Sequence, residues 1–128
     1  MITEENLEKA YRFLKECACF YVLTINGDFP AGRPFGAVME YEDKLYISTN
    51  DGNNAHKQLR ANGHIQIIAK KENSREWIRI TGNATECTAI EMKQKMLETC
   101  PILSKHFPSA ESTHYLLFQI RVQSLEFY

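Results

Sequence analysis

No Gly-x-Ser-x-Gly elbow, Gly-x-x-x-x-Gly-Lys-Ser/Thr loop, His-Glu-x-x-His pair or Gly-x-Gly-x-x-Gly turn occurs in the sequence. Their absence excludes the readily recognised hydrolase, nucleoside-triphosphate, zinc-protease and dinucleotide sites. Charge of one sign is lacking too: 15 Lys+Arg stand against 16 Asp+Glu, a formal net charge of −1. No overall basic field exists to attract a phosphate backbone, so nucleic acid is not expected as a partner. No uncharged apolar stretch approaches the roughly 18 residues of a membrane span, and the start MITEENLEKAYRFLKE has neither the basic nor the apolar region of a signal peptide. We therefore expect a cytoplasmic chain without a membrane partner. Cys17, Cys19, Cys87 and Cys100 form no Cys-x-x-Cys pair and share no regular spacing with histidine. Neither a metal site nor a disulfide framework is signalled, and reduced, partly buried thiols are expected.

What is present suits one globular domain over residues 1–128, since 44% of the residues are hydrophobic and 11% aromatic. Thr3, Glu4 and Glu5 followed by Leu7, Ala10, Tyr11 and Leu14 predict a capped amphipathic helix over 3–16. FYVLTI at 20–25 reads as a strand ending in the turn Asn26-Gly27-Asp28. A second strand over about 31–41 is interrupted by Gly32, Pro34 and Gly36, which marks an edge or bulge. LYIST at 45–49 is a strand, and DGNNAHKQLRANG a short helix stopped by Asn62-Gly63. Strands follow at 65–70 and 76–87. Thr88 and Glu91 have capping-box spacing for a helix over 89–99 that stops before Pro101. A last strand at 115–127 alternates Leu116, Phe118, Ile120 and Val122 with Leu117, Gln119, Arg121 and Gln123. The expected class is α+β, mainly β, with about six antiparallel strands closing towards a small barrel and three helices.

Two constellations stand out. Arg33-Pro34-Phe35-Gly36 lies on the interrupted strand, and Ser48 to Leu59 spans a strand-to-helix junction rich in hydroxyl and amide groups. Free N–H groups at a helix start, with Lys57 in its first turn and Arg33 nearby, favour a phosphate. The plainer reading makes Asn53 or Asn54 an N-cap and Lys57 a solvated side chain. Trp77, Arg79, Thr81 and Asn83 share one strand face, opposite Ile78, Ile80, Gly82 and Ala84. That lone tryptophan marks either an interface or ligand platform, or a surface covered by a helix. Histidines 56, 64, 106 and 114 have no ligand or triad spacing and are assigned surface or capping roles, and no carboxylate pair is poised for acid–base work.

The segments YVLTINGDFPAGRPFGAVME, KLYISTN, AHKQLRANGHIQIIA, EWIRITGNAT and LLFQIRV, in that order behind a leading helix, resemble the flavin-binding split β-barrels related to pyridoxamine 5′-phosphate oxidase. Within them the likeness is to the short members grouped with nitroimidazole-resistance reductases. The resemblance implies FMN as cofactor, with Arg33 a flavin and phosphate contact and Pro34 and Phe35 beside the ring. It implies Ser48, Thr49 and Asn50 along the flavin, and Lys57 and Gln58 at the phosphate. Trp77 is implied to approach the flavin of the other subunit in a homodimer. Vitamin B6 oxidases carry a C-terminal extension that binds substrate, whereas this sequence stops at Glu126-Phe127-Tyr128; pyridoxamine phosphate is therefore not the expected substrate.

A 128-residue domain has a radius of gyration of roughly 14 Å, and its barrel is filled with side chains. A flavin must lie outside, where a second subunit supplies the other wall. The expected activity is an FMN-dependent oxidoreductase reducing a small planar organic acceptor, with electrons from a small-molecule donor or a partner reductase. The alternative is a non-catalytic flavin- or haem-binding or storage protein of the same fold.

Overall fold

The computed structural model describes residues 2–128. Helix α1 (Glu4–Lys15) begins where the Thr3 side chain accepts a hydrogen bond from the Asn6 backbone N–H at 3.1 Å, and it buries Leu7, Ala10, Phe13 and Leu14. Acidic residues in its first turn and basic ones in its last complement the helix dipole. Strands β1 (Phe20–Asn26) and β2 (Phe29–Phe35) form a hairpin whose turn uses Gly27 at φ +63°. Strands β3 (Val38–Tyr41) and β4 (Lys44–Asn50) form another, turning through Glu42 and Asp43, both at positive φ. Helix α2 (Ala55–Ala61), β5 (His64–Lys70), β6 (Trp77–Cys87), helix α3 (Ile90–Thr99), a 3₁₀ helix (Pro101–Lys105) and β7 (Tyr115–Phe127) complete the chain.

All seven strands join one antiparallel sheet in the order β2-β1-β5-β6-β7-β4-β3. This order forces closure. Laid flat, β2 and β3 at the two edges would lie six spacings apart, about 29 Å. Yet Phe35 and Val38 are separated only by Gly36 and Ala37, and three Cα steps span at most about 11 Å. The sheet therefore rolls into a barrel that is split between its edges. The expected single strand over 31–41 is two strands for the same reason: the chain changes edge at Gly36. Seven strands replace the expected six.

Strand β6 follows the curvature through an irregularity at Thr81/Gly82, where Gln123 is left over on β7. A Cβ on Gly82 would run into the Arg121 carbonyl oxygen, so only glycine fits this crossing. The barrel interior holds Val22, Leu45, Ile47, Ile67, Ile78, Ile80, Phe118 and Ile120, packed with Leu7, Ala10 and Leu14 of α1. A second cluster lies on the outer face of β3, β4 and β7, where α3 and the 3₁₀ helix cover Met39, Tyr46, Tyr115 and Leu117. Leu117 is thus buried, although it shares its face of β7 with Gln119, Arg121 and Gln123. The Thr88–Glu91 capping box does not form; Ala89 caps α3 without a side-chain bond. Among the described residues, no helix is long and apolar enough to cross a membrane.

Candidate functional site

Arg33 pairs with Val22 across the β1–β2 ladder, so its side chain lies on the face that carries Val22 and Thr24. Its Nη1 donates to the Val22 carbonyl oxygen at 3.2 Å and to Thr24 Oγ1 at 2.9 Å, and its Nη2 donates to Gln58 Oε1 at 2.6 Å. Gln58 Oε1 also accepts from Thr24 Oγ1. Every partner is neutral, and no carboxylate reaches Arg33 among the described residues. A guanidinium carries five N–H donors, so two remain free here. Burial lowers the Arg33 pKa, the mark of a cation withdrawn from water without a counter-charge. Lys57, the next residue to Gln58, is exposed.

Helix α2 holds Gln58 and Lys57 in place. Arg60 forms a two-pronged ion pair with Glu86 of β6, at 2.7 and 2.9 Å, and this bond keeps the Glu86 carboxyl below the usual range. At the other end of the helix Asn53 Oδ1 accepts from the Ala55 N–H at 3.0 Å and Asn53 Nδ2 donates to Thr49 Oγ1 at 2.7 Å, while Asn54 caps without a side-chain bond. Asn53 thus does with its side chain the capping that the plainer sequence reading gave to Asn53 or Asn54. With only seven residues in α2, anion binding has to rest on side chains more than on a helix dipole.

Beside Arg33 a cleft of about 340 Å³ is lined by Pro34, Phe35, Gly36 and Ala37, by Ser48, Thr49, Asn50 and Asn53, and by Leu103, His106 and Phe107. Five of the nine residues singled out in the sequence line it; Arg33, next in sequence to Pro34, and Lys57 and Gln58 of α2 are not among the lining residues. Ser48 is 8% exposed, and its Oγ is shielded from water without a hydrogen-bond partner. Such a buried orphan hydroxyl costs about 1–3 kcal/mol unless a ligand completes it. An unpaired guanidinium beside a cleft with an uncompleted hydroxyl fits a phosphorylated planar cofactor such as a flavin.

Trp77 is not in this cleft. It stacks on Tyr128 with ring centroids 4.2 Å apart, and the Arg79 guanidinium lies over its ring at 5.0 Å. Two parts of the site escaped the sequence reading. Thr24 is 1% exposed, and its place in the apolar alternation Phe20-Val22-Thr24 was the available signal. Leu103 comes from a 3₁₀ helix that Pro101, read only as a stop, does not announce, and His106 and Phe107 come from the residues just after it. His56, assigned to the surface, is buried with Nδ1 unpartnered, and His114 pairs with Asp51 at 3.0 Å.

A rolled antiparallel sheet split at its edges, with a cleft on the β2 and β4 side, defines a split-barrel protein. The family model described as pyridoxamine 5′-phosphate oxidase matches residues 7–127, and the chain belongs to that family, whose fold binds flavin. A NimC/NimA family protein from Clostridium acetobutylicum is 33% identical, with TM-score 0.84 over 97% of this chain and 92% of that one. General stress protein 26 from Bacillus anthracis shares the fold at 16% identity, with TM-score 0.78 over 94% and 92% of the two chains. An FAD-binding protein from Mesorhizobium loti does so at 16% identity, with TM-score 0.68 over 98% and 94%. None of the curated proteins matches the chain.

Proposed function

We propose that this chain is an FMN-dependent oxidoreductase that reduces a small planar organic acceptor. The observation that carries the reading is Arg33, a half-buried cation whose partners are all neutral, at the edge of a cleft walled by Phe35 and Ser48. Its two free N–H groups suit the FMN phosphate, with Lys57 adding a mobile charge and Gln58 holding the guanidinium in aim. Pro34, Phe35, Ser48, Thr49 and Asn50 border the isoalloxazine ring. When bound, FMN supplies the electron transfer, so the chain needs only to bind, orient and leave one ring face open. That fits a site without an acid–base pair.

The reading extends to a cytoplasmic homodimer built of one domain per chain. The outer face of the barrel supports it: Tyr21, on the face of β1 opposite Val22, is 51% exposed. A groove of about 400 Å³ runs there between Leu23, Ile25, Pro30, Ile65 and Thr81. A second copy on this face would bring Trp77 towards the flavin of its partner. With no Gly-x-Gly-x-x-Gly turn, a nicotinamide donor would bind weakly or a partner reductase would replace it. The test is to reconstitute the purified chain with FMN and riboflavin, record visible spectra, and follow reduction by NADH or NADPH and reoxidation by a quinone. Stoichiometric yellow protein with both half-reactions faster than free FMN supports the proposal. FMN uptake without acceleration makes the chain a flavin carrier, and a haem spectrum with no FMN uptake overturns it.

A further inference from the structure

The wall of the cleft formed by the 3₁₀ helix and the residues just after it has no part in the Arg33 cluster. Leu103 and Phe107 are buried there, while His106 is exposed at the rim with its ring against Phe107, centroids 6.4 Å apart. His106 is the sole ionisable residue in the lining, and its ring makes no hydrogen bond among the described residues. Much of the other polar lining is committed: Thr49 and Asn53 bond to each other, and Asn50 Oδ1 accepts from the Gly52 N–H at 2.8 Å. Ser48 Oγ is the exception, buried without a partner. Buried hydroxyls rarely stay unpaired, and a serine re-aims its hydroxyl by one torsion among three staggered wells.

We propose that Ser48 and His106 form a subsite for an oxygen of the electron acceptor, a quinone carbonyl or a nitro group, each giving it one hydrogen bond. This deepens the flavoprotein reading and rests on it. Phe35 and Phe107 offer flat apolar surface to a ring, Leu103 adds an aliphatic contact, and two hydrogen-bond donors suit a partly charged oxygen. The lining contains no carboxylate to attract a cationic ligand.

Duroquinone is a suitable probe because its ring carbons are fully methylated and resist thiol addition. With histidine-¹⁵N-labelled full-length protein, duroquinone should shift the His106 ring resonances. His106→Phe, which keeps a flat ring but no donor, and Ser48→Ala should each raise the duroquinone dissociation constant about three- to tenfold, the range for one neutral hydrogen bond. His106→Gln, which restores an N–H, should recover part of the loss, while His106→Phe should leave FMN affinity within twofold of wild type. An unmoved His106 resonance, or wild-type duroquinone affinity in His106→Phe, would overturn the subsite. Failure of the wild-type chain to bind FMN would instead overturn the flavoprotein reading, and the His106 resonance read on the cofactor-free chain would still decide the subsite.

Discussion

Two of the arginines on strands of this barrel, Arg33 and Arg79, differ in their surroundings in one respect. Arg79 on β6 is electrostatically complete: it faces Glu126 at 3.4 Å and the Tyr128 hydroxyl at 3.4 Å, beneath the stacked Trp77 and Tyr128 rings. Arg33 on β2 has three neutral acceptors and no counter-charge. Leaving a half-buried cation unpaired is costly, whereas an ion pair at the surface contributes little. Arg79 thus reads as finished structure and Arg33 as a site awaiting an anion.

The largest effect should come from Arg33. Arg33→Ala should weaken FMN binding by about 1.5–3 kcal/mol, the range for a hydrogen bond to a charged group, in a flavin-fluorescence titration. Arg79→Ala should leave the preference for FMN over riboflavin unchanged; a lost preference there would erase the contrast. Lys57→Ala should cost less, about 1 kcal/mol, because the ammonium is exposed. Its contribution should also shrink as salt is raised from 0.01 to 1 M, since the Debye length falls from roughly 30 to 3 Å. Trp77→Leu should lower the thermal midpoint by calorimetry, removing an aromatic stack of about 0.5–1.5 kcal/mol.

The smallest effect belongs to Glu126. Hydrogen bonds from Tyr128 first and Arg79 next hold its carboxyl below the usual range. A depressed carboxyl stabilises the fold above its unfolded pKa, about 4.3, and loses that contribution as pH falls through the lower folded value. The stability gap between wild type and Glu126→Gln should therefore be constant near neutrality and close below about pH 4, as read by urea unfolding at several pH values.

The sequence carried the strands where side chains alternate cleanly, as in Ile78-Ile80 of β6 and Leu116-Phe118-Ile120 of β7, because period two is a local property. It marked an interruption at Gly36 but not the change of edge there, which depends on the sheet closing so that two distant edges meet. The 3₁₀ helix was hidden for a related reason: Pro101 ends one helix and opens another. At the site, Arg33, Lys57 and the Ser48–Asn50 segment were legible as residue types suited to a phosphorylated ring. The cluster that joins Arg33 to Thr24 and Gln58 spans 34 residues of chain and becomes visible only in the folded barrel.

The most direct test is the ratio of FMN to riboflavin affinity in wild type, Arg33→Ala and Arg79→Ala. These ligands share the ring and differ in the phosphate, so the ratio isolates the anion contact. The account predicts a wild-type preference for FMN of at least tenfold, equivalent to about 1.4 kcal/mol, which collapses in Arg33→Ala and persists in Arg79→Ala. Equal affinities in wild type, or a preference that survives the loss of Arg33, would contradict it.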